Sequence, residues 1–119
     1  MIKSKENHTI MKTRTLLICL VALLSSACAT PMKLSDDGEK VRVLDPSEVS
    51  SCRELGKTNT SVTWVLLGVA RPEDAVGKEL RIVARNSAAR MGGDTIVPLT
   101  VIEKGEQTFV VYKCVNPDG

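Results

Sequence analysis

Residues 72–96, PEDAVGKELRIVARNSAARMGGDTI, decide the fold, because they predict one amphipathic helix that leads directly into a strand. Pro72 suits the first turn of a helix, where its missing N–H leaves no bond unmade. Apolar or small side chains then recur every three or four residues and define one face: Val76, Leu80, Val83, Ala84, Ser87, Ala88 and Met91. Gly92-Gly93 ends the helix, because glycine adopts the left-handed conformation at little cost. We therefore predict a helix over residues 72–91.

Four strands are predicted around this helix, over residues 40–44, 52–58, 94–102 and 107–115. Pro98 has no N–H to donate and therefore places the third strand at a sheet edge or at a bulge. A tight turn at residues 103–106 joins the last two strands, and Gly105 supplies its positive φ. The order β-β-α-β-β predicts an α+β domain with one amphipathic helix packed on a small, mostly antiparallel four-stranded sheet.

The first 27 residues are typical of an export signal. A basic start leads into the apolar run of residues 16–24, whose nine residues are far too short to cross a bilayer core of about 30 Å. The pattern fits a translation start at Met1 or at Met11. The basic residues before the run are Lys3, Lys5, Lys12 and Arg14.

The signal ends in Leu24-Ser25-Ser26-Ala27-Cys28, which resembles a bacterial lipobox. The resemblance implies cleavage before Cys28 and acylation of that cysteine, so that the protein binds the membrane through a lipid anchor. Ala29 follows in place of Asp, which by the same resemblance implies sorting to the outer membrane, facing the periplasm. The alternative is an ordinary signal peptidase site with Cys28 incidental. Residues 28–39 would form the lipidated N-terminus and a flexible tether, and residues 40–119 a single small domain.

Length and composition restrict the function. The chain has 119 residues, a net charge of +2 and 43% hydrophobic residues, which excludes a two-domain enzyme, a collagen and a multi-span membrane protein. The basic excess lies in the export signal, so we expect no nucleic-acid partner. His8 lies there too, and the rest of the chain has no phosphate loop, serine elbow or metal-ligand cluster. We expect no enzymatic activity, no cofactor and no metal.

Two cysteines remain for the domain once the signal is removed and Cys28 is acylated. An exported domain with one pair, Cys52 and Cys114, favours a disulfide. A metal site or a redox pair is the alternative. Both are disfavoured, because the spacing is not Cys-x-x-Cys and no histidine is available.

Residues 60–70 allow two interpretations, because the run is strongly apolar and its periodicity does not distinguish a buried strand from a covering loop. The favoured one packs the segment on the core. In the other, Trp64, Leu66 and Leu67 form an exposed contact patch for a partner or a lipid surface. The basic stripe of the helix, formed by Lys78, Arg81 and Arg85, is interpreted as a solvated face, with anion or headgroup contact as the minor alternative.

A resemblance covers nearly all of the predicted mature chain. The resemblance rests on the lipobox, Lys40-Val41-Arg42-Val43, Cys52-Arg53-Glu54-Leu55-Gly56, the run from Leu80 through Met91-Gly92-Gly93-Asp94 to Ile96, and the ending Val111-Tyr112-Lys113-Cys114. In these motifs the chain resembles a YjeI-like family of small proteobacterial outer-membrane lipoproteins of unknown function. The helix–glycine–strand element is also similar to that of the stress-sensor lipoprotein RcsF and of YbjQ-like domains. The family implies no catalytic residues.

Two functions of different classes follow. The first is an envelope-anchored, non-enzymatic accessory or signalling lipoprotein that contacts another cell-envelope component, such as an envelope protein. The second is a periplasmic lipid or small-ligand binding module that uses residues 62–69 and the basic stripe. The anchor, the tether and the lack of catalytic groups favour the first.

Overall fold

The elements of the domain come from a computed structural model that describes residues 32–119. The predicted export signal and Cys28 lie outside the described residues, so the signal, its cleavage and the acylation stay predictions. The helices are α1 (Asp36–Glu39) and α2 (Glu73–Arg90), with a 3-10 turn at Pro46–Glu48. The strands are β1 (Arg42–Val43), β2 (Arg53–Ser61), β3 (Val65–Leu66), β4 (Val69–Ala70), β5 (Thr95–Pro98) and β6 (Glu106–Lys113).

The main sheet contains the four predicted strands, in the spatial order β1-β5-β6-β2. β6 pairs antiparallel with both β5 and β2, whereas β1 pairs parallel with β5. This confirms an α+β fold with one main helix and a mostly antiparallel sheet. Two details differ from the prediction: the sheet is mixed, and β3 and β4 form a separate two-stranded hairpin. Strand periodicity carries no information on direction, which depends on where the long connections return the chain.

The core lies between α2 and one face of the sheet. Ala84 and Ala88 of the helix and Phe109 of β6 are fully buried in one cluster. Small residues on the helix let the sheet side chains approach closely, which gives dense packing without large helix side chains. The other members of the cluster are Val41, Ile96 and Val111. The predicted helix face is confirmed at its centre, where Leu80 is fully buried, whereas Met91 is exposed.

The predicted helix stop is confirmed in detail. The N–H of Gly93 donates to the carbonyl of Ala88 at 2.8 Å, and that of Gly92 donates to Ala89 at 3.1 Å. Gly92 has a φ of 79°, so the pair forms a Schellman motif. A Cβ on Gly93 would collide with the side chain of Val111, so this glycine also lets the helix end lie directly against β6.

Pro98 does not lie on an edge strand, since β5 has β1 on one side and β6 on the other. The proline is nevertheless accommodated, because β1 pairs only with Thr95 and Ile96 and ends before Pro98 is reached. Beyond that point β5 is locally an edge, where a missing N–H breaks no ladder bond. In β2, Gly56 lies at a register shift against β6, which is a β-bulge.

The folded domain includes residues 33–39, which were predicted to belong to a flexible tether. Asn86 of α2 accepts from the backbone N–H and the hydroxyl of Ser35, both at 2.9 Å, and donates to the carbonyl of Lys33 at 2.9 Å. Arg85 donates to the carbonyls of Val41 and Glu39. We call residues 33–41 the N-terminal strap. The strap was not predicted from the sequence, because most of its contacts are long-range hydrogen bonds that involve backbone atoms.

The predicted disulfide between Cys52 and Cys114 is confirmed, and it closes a separation of 62 residues. Next to it, the carboxylate of Asp94 accepts from the N–H groups of Cys114 and Val115 at 2.8 and 2.9 Å. Burial raises the pKa of Asp94, but the hydrogen bonds from Cys114, Val115 and the Thr95 hydroxyl, together with the charge of Lys113, hold its pKa below the usual value. The disulfide and Asp94 thus fix the end of β6 from two sides.

Candidate functional site

The candidate site is the β3–β4 hairpin, which displays four exposed apolar side chains. Their exposed fractions are 41% for Trp64, 56% for Leu66, 104% for Leu67 and 68% for Val69. We call these four side chains the hairpin patch. The favoured interpretation, in which residues 60–70 pack on the core, is therefore wrong for the hairpin. Trp64, Leu66 and Leu67 are exposed together, as the alternative required.

The tip of the hairpin is a tight turn that places Leu67 at the most exposed point. Leu67 and Gly68 have φ values of 51° and 77°, the pattern of a type I′ turn. Such turns prefer Asn-Gly, because asparagine tolerates positive φ and a bulky side chain does not. A leucine here has both an unfavourable backbone conformation and a side chain in water. Local stability therefore does not explain why leucine occupies position 67. A contact of Leu67 with another surface would explain it.

Arg71 fixes the base of the hairpin to α2. Its guanidinium donates two hydrogen bonds to the carboxylate of Glu79, at 3.0 and 2.5 Å, and one to the carbonyl of Thr63 at 2.6 Å. Its backbone N–H donates to the carbonyl of Trp64 at 2.7 Å. The hydrogen bond with Glu79 raises the pKa of Arg71 and lowers the pKa of Glu79, so both groups stay charged. A two-pronged pair of this kind sets direction as well as distance, so the patch is held in one orientation.

The turn between β5 and β6 supports the hairpin from the other side. The N–H of Val62 donates to the carbonyl of Gly105 at 2.9 Å. Gly105 has a φ of 73°, and a Cβ there would collide with the carbonyl of Val62 and crowd Trp64. The predicted positive φ of Gly105 is thus confirmed, and its lack of a side chain also lets Trp64 lie close to the turn.

A small cavity beside Trp64 has a volume of about 170 Å³. Pockets for drug-sized ligands usually measure about 300–1,000 Å³. The cavity beside Trp64 is therefore smaller than such pockets. Its walls are formed by Trp64, Arg71, Glu73, Val76, Ile102, Lys104 and Gly105.

The remaining predicted residues lie apart from the hairpin patch. Cys52 and Cys114 form the disulfide and contribute to stability, and Cys28 lies outside the described residues. In the basic stripe, Lys78 and Arg81 are exposed as predicted, whereas Arg85 binds the N-terminal strap. Among residues 32–119, His, Cys, Asp and Glu nowhere cluster in a way that suits a metal ion. No helix in the same range has the length and apolar character needed to cross a membrane.

Sequence reasoning did not single out three residues that build the site and its frame: Arg71, Glu79 and Asn86. Asn86 carries a local signal that was available, because asparagine is a poor helix former in the middle of a helix and favours bonds to nearby backbone. Arg71 and Glu79 carry none, since their pairing depends on where the hairpin returns to the helix.

These features define a class: a small α+β domain, closed by one disulfide, that displays an apolar hairpin. The chain belongs to the family described as a domain of unknown function, DUF4156, whose model matches residues 32–114. It is 30% identical over 105 residues to the uncharacterized protein YjeI of Escherichia coli K12, covering 80% of this chain and 90% of that protein. YjeI of Shigella flexneri matches with the same identity and coverage. No solved structure matches the chain.

Proposed function

We propose that the protein is a lipid-anchored, non-enzymatic accessory or signalling module of the cell envelope, which contacts another envelope component through the hairpin patch. The observation that carries the proposal is the hairpin patch itself. Four apolar side chains are displayed on a hairpin whose base Arg71 attaches to α2. An apolar cluster exposed on a small domain is typical of a surface that contacts a partner or a membrane.

The location rests on the sequence before the described residues. The basic start, the short apolar run and the lipobox at Cys28 support an acylated protein at the outer membrane, facing the periplasm. The similarity of the helix–glycine–strand element to RcsF supports the signalling side of the proposal. The exposed Leu67, in a position that favours asparagine, supports the contact.

Site-directed photo-crosslinking in cells tests the contact. The full chain is produced with a photoreactive phenylalanine in place of Leu67, and the matched control carries it in place of Val43, an exposed residue of β1 at the far edge of the sheet. We expect a defined adduct from position 67 that position 43 does not give. Identical adduct patterns from both positions would argue against the hairpin patch as the contact surface.

Intact mass of the protein extracted from membranes tests the anchor. We expect the mass of a chain that begins at Cys28 and carries acyl groups, with the disulfide between Cys52 and Cys114 intact under non-reducing conditions. A chain that keeps residues 1–27, or one cleaved but without acyl groups, would refute the lipid anchor.

A further inference from the structure

We propose that the envelope component touched by the hairpin patch is the bilayer surface itself, so that the domain is held on the membrane at two points, the acyl anchor and the hairpin. This inference deepens the proposed function and rests on its lipid anchor. We assign lipid as the partner of the hairpin patch, because the strap shortens the link between the acyl anchor and the domain and so keeps the domain close to the bilayer.

The strap shortens the link between anchor and domain. The sequence alone predicted a tether of residues 28–39, but Asn86 already holds Lys33 and Ser35 against α2. The chain from Cys28 to Lys33 can extend only about 18 Å, at about 3.5 Å per residue. An anchor in the bilayer therefore keeps the strap within this distance of the membrane surface.

The base of the hairpin is attached to the same helix that holds the strap. This base is fixed to Glu79 and adjoins Glu73, which precede Asn86 on α2 by about 10 and 20 Å of helix rise. A rotation of the whole domain about the anchor is then enough to bring the hairpin to the surface. Because the link is short, the local concentration of lipid at the hairpin is high, and a weak contact becomes effective.

The chemistry of the hairpin suits an interface between water and lipid. Residues 62–70, VTWVLLGVA, carry no charged side chain. Leu67 lies at the tip, and Trp64 lies at the base, partly against the domain. Tryptophan prefers the headgroup level of a bilayer, with apolar side chains such as leucine deeper. The hairpin is too short to reach far into the hydrocarbon, so its backbone polar groups stay within the hydrated interface.

Trp64 provides the measurement, because it is the one tryptophan of the chain. The full-length acylated protein is reconstituted into vesicles of phosphatidylethanolamine and phosphatidylglycerol, with or without bromine on the acyl chains. We expect brominated lipid to quench Trp64 and the emission to shift to shorter wavelength. Leu67→Asn should abolish most of this quenching, whereas Val43→Asn should leave it unchanged.

Leu67→Asn also separates contact from folding. Asparagine suits a type I′ turn better than leucine, so this variant should unfold at the same or a higher urea concentration than the wild type. Loss of quenching in a variant that folds at least as well would therefore reflect the lost contact and not a lost fold.

The outcomes distinguish this inference from the proposed function. A protein without acyl groups refutes the anchor, and the inference fails with it. An acylated protein that floats with the vesicles while brominated lipid leaves Trp64 unquenched overturns the inference alone. If position 67 in cells then gives an adduct with one defined protein, the hairpin patch is a protein contact and not a lipid contact.

Discussion

At the scale of single residues, Asp94 shows how one carboxylate joins two elements. It follows the Schellman motif at the end of α2 and accepts from two successive N–H groups after β6. A third bond, from the hydroxyl of Thr95 at 3.0 Å, orients the side chain. Charge-assisted bonds of this kind are about twice as strong as bonds between neutral groups. Asp94 therefore links the C-terminal end of α2 to the end of β6 through hydrogen bonds.

Asp94→Asn should lower the free energy of unfolding by about 1–3 kcal/mol at pH 7, because an amide has one acceptor oxygen where the carboxylate accepts from three donors. Urea unfolding of the variant against the wild type measures this. Asp118→Asn, an exposed change near the C-terminus, is the matched control and should have little effect.

The same substitution should change how the free energy of unfolding depends on pH. The pKa of Asp94 is lowered by folding, so its ionised form adds stability above the unfolded pKa of about 4. That stability is lost as the pH falls through the lower, folded pKa. Between pH 5 and pH 2, Asp94→Asn should therefore lose less stability than the wild type. Parallel losses in the two proteins would contradict the role given to Asp94.

At the scale of elements, Asn86 binds the beginning of the N-terminal strap, whereas Arg85 binds its end. Asn86→Ala removes three hydrogen bonds to Ser35 and Lys33, while alanine improves helix propensity slightly. We expect a net loss of about 1–2 kcal/mol in unfolding free energy. Hydrogen exchange of the Gly38 amide should also become faster, because that amide donates to the Ser35 hydroxyl at 2.9 Å. Lys78→Ala, exposed on the same helix, should change neither. Unchanged exchange at Gly38 would show that other contacts hold the strap.

The helix was predictable from the sequence, whereas the β3–β4 hairpin was not. The helix over residues 72–91 was predictable because its apolar period, its proline start and its glycine stop all agree, and the structure places it at Glu73–Arg90. The hairpin was not, because β3 and β4 each have two residues, too few for a period to appear. Its turn lacks the asparagine that identifies a type I′ turn, since Leu67 occupies that position.

The sequence therefore predicted which residues form the candidate site, but not that they lie on an exposed hairpin. The apolar character of Trp64, Leu66 and Leu67 is visible in the sequence, whereas their exposure follows from the separate hairpin that β3 and β4 form. Burial of an apolar run is the more common outcome, which is why the favoured interpretation of residues 60–70 was wrong here.

At the scale of the whole molecule, the disulfide offsets the small size of the domain. A domain of this length buries little apolar surface, so a cross-link contributes a large share of its stability. The double change Cys52→Ser with Cys114→Ser should cost about 4 kcal/mol for a loop of 62 residues, in the chain-entropy model. Urea unfolding measures the cost, with wild-type protein under reducing conditions as a second route to the same state. A loss below about 1 kcal/mol would show that the fold alone fixes the ends of β2 and β6.

The two borders of the sheet have a consequence if the lipid anchor proposed above confines many copies of the protein to one membrane. The first half of β2 carries the exposed charged residues Arg53, Glu54 and Lys57 and has a bulge at Gly56, while Pro98 ends the stretch of β5 that β1 leaves uncovered. Charges, bulges and prolines are the features that prevent strands of neighbouring molecules from adding to one another. Copies confined to two dimensions should therefore diffuse past each other as separate particles and not grow into fibrils.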